Sequence, residues 1–138
     1  PIMDLYDKSI VEYELSHSNS KQLVFKMFDR AIQKNTTAKP IFHSDRGFQY
    51  TNSQFRRKIE DAGMKQSMSR VGKCIDNGPM EGFFGSLKTE KFYGKRFSSM
   101  QELILAIMEY IKFYNEERLQ KGLNGLAPMM YRSQALTE

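Results

Sequence analysis

The chain has 138 residues, and its 21 Lys and Arg against 16 Asp and Glu give a formal net charge of +5 at pH 7. This length suits a single domain with a sizeable core, and the positive charge favours a polyanionic partner. The one cysteine, Cys74, excludes an internal disulfide and, with only two histidines, a zinc site of Cys and His. The single cysteine favours a reducing, cytoplasmic setting. No apolar run reaches membrane-spanning length, so we expect no membrane contact.

The first third of the chain predicts a hairpin followed by a helix. β-branched and aromatic residues at 1–5 and 10–15 are typical of two strands, joined by a polar turn. Apolar residues then recur at helical spacing from Leu23 to Ile32, after a capping residue at Asn19 or Ser20.

A strand, a helix and a further strand are predicted next. The short strand ends at Asp45, and the helix begins near Asn52 and stops at Gly63. Residues 64–68 form the second strand candidate, and the polar, glycine-bearing stretch 69–78 predicts a mobile loop. Together with the earlier elements, this order predicts an α/β fold.

Two helices are predicted in the second half. The first covers 79–92, and its apolar stripe places Glu81 and Lys88 together at the edge of the buried face, while Glu90 lies about half a revolution from Glu81. The second starts after a capping box at Ser99 and runs to about Asn115. Residues 116–138 are predicted to be an irregular tail of one domain that covers 1–138.

Asp45 and Glu81 are the candidate catalytic and metal-binding residues. One follows a strand and the other lies in the first turn of a helix, so the two carboxylates can converge on one point. Paired carboxylates are oxygen ligands suited to Mg²⁺ or Mn²⁺. The alternative is that Asp45 is a solvated charge and that Glu81 only complements the helix dipole.

Several spaced motifs resemble one family. Thirty-five residues separate Asp45 from Glu81. This spacing and the flanking motifs are similar to the catalytic core of orfB-type insertion-sequence transposases, which belong with retroviral integrases to the Asp-Asp-Glu superfamily. The motifs are His43-Ser44-Asp45-Arg46-Gly47, Asp76-Asn77-Gly78-Pro79-Met80-Glu81, Tyr114-Asn115-Glu116-Glu117-Arg118 and Leu126-Ala127-Pro128.

The resemblance implies a ribonuclease-H-like fold, with a central mixed sheet flanked by helices, and three acids that bind two Mg²⁺ or Mn²⁺ ions. Asp45 matches the second acid and Glu81 the third. The first acid would lie upstream of Pro1, so we expect a core truncated at its N-terminus, without the first strand and inactive by itself. Asp4 is an alternative first acid, although its position matches a structural aspartate.

The resemblance also implies DNA as the partner. The candidate DNA-binding residues are Lys88, Arg46, Arg70, Lys73, Lys91 and Arg118. A solvated surface charge is the alternative for each, and Lys88 is favoured because it shares a helix face with Glu81. Arg118 can pair with an acid or with a phosphate, and Gln120 stands where the family often has histidine.

Four further residues are expected to support the site or the fold. His43 points to the side of Asp45 by strand alternation, and it can equally be a core or edge histidine. Asn77 is expected to cap the helix that follows it, and a contact with DNA is the alternative. Tyr114 completes a buried helix face, and Asn115 belongs to the same family element.

The predicted function is metal-dependent DNA cleavage and strand transfer by a bacterial, nucleoid-associated transposase that assembles as a homo-oligomer on element ends and target DNA. Two rival functions remain at this point. One is a non-catalytic nucleic-acid-binding module, and the other is a ribonuclease-H-type nuclease.

Overall fold

The computed structural model describes residues 1–138, except for the side chain of Cys74. The chain forms two compact units. The first unit contains Pro1–Ile2 and Glu12–Gly78, and the second contains Met3–Val11 and Pro79–Glu138.

The predicted hairpin is present as a two-stranded sheet of short strands, β1 (Ile2–Met3) and β2 (Ile10–Glu12). The turn between them is closed by the Asp4 N–H, which donates to the Ser9 carbonyl at 2.9 Å. β2 ends at Glu12, a buried carboxylate that accepts hydrogen bonds from Arg30 and Lys34. Polar partners on the next helix therefore stabilise the end of this strand.

The first long helix, α1 (Lys21–Lys34), begins where the sequence predicted. The Ser20 hydroxyl accepts a hydrogen bond from the Leu23 N–H at 3.3 Å and satisfies one of the free amides of the first turn. Val24, Met27 and Phe28 are its buried residues. The predicted cap and apolar face are both confirmed.

Two parallel strands form the second sheet. β3 (Ile41–Ser44) pairs with β4 (Lys65–Met68), with Ile41 opposite Lys65 and Ser44 opposite Met68. The connection contains a four-residue helix, α2 (Phe48–Thr51), which the sequence did not predict, and then α3 (Ser53–Asp61).

The predicted limits of α3 are confirmed. The Asn52 side chain accepts from the Phe55 N–H at 2.9 Å, and Gly63 follows the helix with φ +72°, a conformation that favours glycine. Phe55 and Ile59 have no exposed surface. Phe55 packs edge-on against Phe28 and Phe42, so α1, β3 and α3 share one aromatic core.

The second unit contains the helix predicted over 79–92. It consists of α4 (Gly78–Leu87), preceded by a 3-10 turn (Cys74–Asn77) and followed by a π-helical turn (Lys88–Phe92). The Tyr93 N–H donates to the Lys88 carbonyl at 2.7 Å, which gives the wider five-residue spacing of this turn.

The longest helix, α5 (Met100–Glu116), is capped by Ser99, whose hydroxyl accepts from the Glu102 N–H. Tyr110 and Tyr114 are buried on α5 and contact the ring of Phe83 from α4. The predicted start and length of this helix are confirmed.

The prediction of an irregular tail over 116–138 needs correction. A 3-10 turn (Lys121–Leu123) is followed by Asn124 at φ +56°, and the chain then enters α6 (Pro128–Thr137). Proline suits the first helical position because a backbone N–H at that position has no acceptor within the helix. Its absence in proline therefore costs no hydrogen bond. The turn residues that suggested irregularity instead direct the chain into this last helix.

The fold is mixed α/β. Within the residues described, the strands pair as two separate two-stranded sheets, β1–β2 and β3–β4, and the central mixed sheet stays a prediction. Across the same part of the chain, none of the helices is both long and apolar enough to span a bilayer.

Candidate functional site

Asp45 directly follows β3, as predicted, and its side chain is exposed. The Gly47 N–H donates to Asp45 Oδ1 at 2.8 Å, which holds the carboxylate over the turn into α2. Burial of the Tyr50 phenol raises the pKa of Tyr50, and the negative charge of the nearby Asp45 raises it further. The end of β3 thus presents the Asp45 carboxylate to solvent.

Gln49 is a neighbour of Asp45 that the sequence analysis missed. Its side chain is only 8% exposed, and Nε2 donates to Asn19 Oδ1 at 2.8 Å. Its other end, Oε1, is buried and has no hydrogen-bond partner among the residues described. A Cβ at Gly47 would lie 2.5 Å from this oxygen and 3.0 Å from Asp45 Oδ1, so both oxygens face the space that glycine leaves open.

His43 lies on β3 and is partly buried. Its ring nitrogens hydrogen-bond with the hydroxyls of Ser67 on β4 and Ser69 just beyond it, at 2.9 and 3.2 Å. Arg46 also uses this segment, since its Nε donates to the Ser69 carbonyl at 2.8 Å. These contacts give His43 a structural place across the strand pair, and its supporting role towards Asp45 stays a prediction.

The loop predicted to be mobile over 69–78 contains a well-formed ion pair. Arg70 donates from Nε and Nη2 to the Asp76 carboxylate at 2.9 and 2.8 Å, and its backbone N–H also binds Asp76. The Arg70 guanidinium therefore lowers the pKa of Asp76 well below its usual range. Lys73 is exposed within this loop. Asn77 closes the 3-10 turn that leads directly into α4, in place of the helix cap that was predicted.

Glu81 occupies the first turn of α4 and is exposed. Asp45 belongs to the first unit and Glu81 to the second, so their convergence stays a prediction. Leaving out the undescribed Cys74 side chain, no three His, Cys, Asp or Glu side chains are grouped as metal ligands. Asp4, the alternative first acid, accepts a hydrogen bond from Arg132 at 2.8 Å and so has a structural partner.

Glu90 is held by residues of α5 and its C-terminal extension. Arg118 donates to both of its carboxylate oxygens at 2.6 to 2.9 Å, and the Tyr110 hydroxyl donates at 2.8 Å. The hydrogen bond from Arg118 lowers the pKa of Glu90. Glu90 follows Phe83 by two helical turns, which explains why both contact Tyr110. Its carboxylate is thus taken by Arg118 and Tyr110, whereas Glu81, the other acid of this segment, is exposed in the first turn of α4.

The predicted DNA-binding residues divide into two groups. Arg46, Lys73 and Lys88, the last at the first residue of the π-helical turn, are exposed and form no ion pair among the residues described. Arg70 and Arg118 are bonded to carboxylates, and Lys91 lies 3.8 Å from the Glu109 carboxylate. The contact of Arg118 with Glu90 is the pairing with an acid that the sequence had left open beside a pairing with phosphate. Binding to DNA stays a prediction for all six residues.

Tyr114 and Asn115 have clear structural partners. Tyr114 is 3% exposed, and its ring packs edge-on against Phe83. The Asn115 side chain binds both backbone polar groups of Ile10: its Oδ1 accepts from the N–H at 2.8 Å, and its Nδ2 donates to the carbonyl at 3.0 Å. The end of α5 therefore anchors the first residue of β2.

Comparison with known protein families identifies the family of this chain. Two sequence profiles match the chain, over residues 1–74 and 81–136, and both describe an integrase core domain. The chain belongs to the integrase core domain family. Within this integrase core, Asp45 falls in the first match, and Glu81, Tyr114 and Asn115 fall in the second.

Curated relatives include proteins of bacterial insertion sequences. An uncharacterized transposase-like protein of Haemophilus influenzae is 45% identical over 136 residues, which is 99% of this integrase core and 63% of the relative. A candidate transposase, InsK, for insertion sequence element IS150 of Escherichia coli K12 is 42% identical over 135 residues, 97% of this chain and 48% of its own. An uncharacterized 31 kDa protein of insertion element IS600 from Shigella sonnei is 41% identical over 133 residues, 95% of this chain and 49% of its own. The integrase core described above thus spans about half to two thirds of the length of these relatives.

Proposed function

We propose that this integrase core is the catalytic part of an insertion-sequence transposase, which cleaves DNA and joins 3′-hydroxyl ends to new DNA. The observation that carries the proposal is Asp45, an exposed carboxylate at the end of β3 within a chain that matches the integrase core domain. The transposase names of the relatives from Escherichia coli and Haemophilus influenzae support the same reaction class. Assembly as a homo-oligomer on DNA is part of this proposal.

The proposed site uses Asp45 and Glu81 as the second and third acids of the family's triad, in a ribonuclease-H-like fold. The donor chemistry fits a divalent cation, because Asp45 and Glu81 are exposed carboxylates and Gln49 adds an unpartnered amide oxygen beside Asp45. Two bound Mg²⁺ ions would supply activation of the attacking hydroxyl and charge stabilisation at the leaving oxygen.

Within this chain, the residues have separate roles. Gly47 holds the Asp45 carboxylate through its N–H, and Tyr50 borders it. Glu81 supplies the third acid, from α4. Lys88 lies seven residues further along the same helix, which is two turns, so its ammonium can hold a DNA phosphate on the side of Glu81.

The DNA surface is proposed to rest mainly on the cations that have no close carboxylate partner. Lys88 and Lys73 are exposed, and Arg46 is exposed although it also donates to a backbone carbonyl. Arg70 and Arg118 would have to leave Asp76 and Glu90 to bind a phosphate, so their share is smaller.

Strand transfer by the full-length protein tests the proposal. Element-end DNA and a target plasmid are incubated with Mg²⁺ or Mn²⁺, and the joined products are counted. Asp45→Asn and Glu81→Gln should each abolish joining, whereas Glu90→Gln, a matched change on the same helix, should retain it. Circular dichroism verifies folding. Joining by the Glu81→Gln protein would place the third acid elsewhere.

A further inference from the structure

We propose that the side-chain oxygen of Gln49 is a further ligand of the divalent ion at Asp45. The inference rests on the proposed function, because it concerns the same metal. It assigns to Gln49 a role that neither the spacing of the acids nor the integrase-core match provides.

The first observation is the unpartnered oxygen. Gln49 is 8% exposed, and its Oε1 has no hydrogen-bond partner among the residues that the structure describes. A buried acceptor without a partner costs about 1 to 3 kcal/mol, so such atoms in native proteins have an explanation, such as a bound ion or water. The other end of the amide is taken by Asn19, which directs Oε1 away from Asn19.

The second observation is where that oxygen points. Oε1 of Gln49 and Oδ1 of Asp45 lie within 3.0 Å of one point, the position where a Cβ on Gly47 would stand. Gly47 has φ −58° and ψ 148°, which any residue can adopt, so the backbone does not require glycine here. Space does: a Cβ there would lie 2.5 Å from Gln49 Oε1 and force this oxygen to move, so glycine leaves the gap between the two oxygens undisturbed.

The chemistry of this gap suits a cation. It is lined by one carboxylate oxygen and one amide oxygen, both hard ligands of the kind that Mg²⁺ and Mn²⁺ prefer. Because the amide is neutral, it adds coordination without adding to the repulsion between the acids. Burial and the bond to Asn19 hold it in place, so little side-chain entropy is lost when the ion binds.

Mn²⁺ binding to the ¹⁵N-labelled chain tests this without relying on activity. Substoichiometric Mn²⁺ broadens NMR signals of nearby nuclei even at weak affinity, and the amide of Gly47 and the side-chain NH₂ of Gln49 report on the gap. We expect both signals to broaden first. Gln49→Met, which keeps the volume and removes the oxygen, should weaken Mn²⁺ binding roughly tenfold. Gln49→Glu should bind Mn²⁺ at least as tightly as the unchanged chain.

Two controls separate the possible failures. Gly47→Ala, which suits the local backbone, should weaken Mn²⁺ binding because the methyl group occupies the gap. Asp45→Asn should abolish the broadening at Gly47, and if it does not, the metal site of the proposed function is wrong. If Asp45→Asn abolishes the broadening while Gln49→Met and Gly47→Ala leave the Mn²⁺ affinity unchanged, only the role of Gln49 is overturned.

Discussion

The side chain of Asn115 acts as a backbone partner for Ile10. Its amide donates to the Ile10 carbonyl and accepts from the Ile10 N–H, so both polar groups of a 5% exposed strand residue are satisfied by one side chain. This pairing explains in physical terms why asparagine follows the buried Tyr114 at the end of α5.

Replacement of Asn115 should destabilise the protein without touching the site acids. Asn115→Ala leaves two backbone groups unpaired and should lower the free energy of unfolding by about 2 to 4 kcal/mol. Asn115→Asp keeps the acceptor but places an oxygen against the Ile10 carbonyl, and it should also destabilise. Urea denaturation measures both, with the exposed neighbour Glu116→Ala as the control. Equal stability of Asn115→Ala and the control would show that the pairing contributes nothing.

The ion pair of Arg132 with Asp7 joins α6 to the turn after β1. Asp7 has no exposed side-chain surface, and it is bonded to Arg132, which also reaches Asp4 at 2.8 Å. Arg132→Met keeps the aliphatic stem and leaves Asp7 buried without its cation, so we expect a loss of about 3 kcal/mol in unfolding free energy. The exposed Arg57→Met is the matched control. A double change to Asp7→Asn and Arg132→Met should recover part of the loss, and no recovery would contradict a direct interaction.

The pairing of Glu90 with Arg118 should appear in the pH dependence of stability. The hydrogen bond from Arg118 holds the pKa of Glu90 below the ordinary value of 4.5. The ionised form therefore stabilises the fold fully above pH 4.5, and this contribution is lost as the pH falls through the lower folded pKa. Glu90→Gln should be less stable than the unchanged protein at about pH 6, and the difference should shrink by about pH 3. A difference that stays constant would rule out this role.

Lys88 should contribute more to DNA binding than another exposed lysine of the second unit. We expect Lys88→Ala to weaken binding of element-end DNA and to reduce the slope of log affinity against log salt by about one. Lys112→Ala, an exposed position on α5, is the control. Fluorescence anisotropy at several salt concentrations measures both, and equal effects of the two changes would contradict the placement of Lys88 beside the site.

Local signals in the sequence predicted the elements well. The caps at Ser20, Asn52 and Ser99 each bind an amide three residues ahead, so neighbouring residues alone determine them. The position of Asp45 at the end of β3 follows from the same kind of local pattern.

Long-range partners were beyond the reach of such patterns. Asn115 binds a residue 105 positions away, and Arg132 binds one 125 positions away, so no periodicity relates them. Gln49 was missed because a polar residue beside a glycine suggests a solvated turn, whereas α2 buries its side chain. The tail was misjudged because Gly125 and Pro128 are equally compatible with a turn into a new helix.

The most direct test of the proposed site is a crystal structure of the full-length protein on element-end DNA with Mn²⁺, with the ions located by anomalous scattering. The account predicts a manganese peak bound by oxygens of both Asp45 and Glu81, at about 2.1 Å from each. A peak at Asp45 with the Glu81 carboxylate directed elsewhere, or a peak at Glu90 instead, would contradict it.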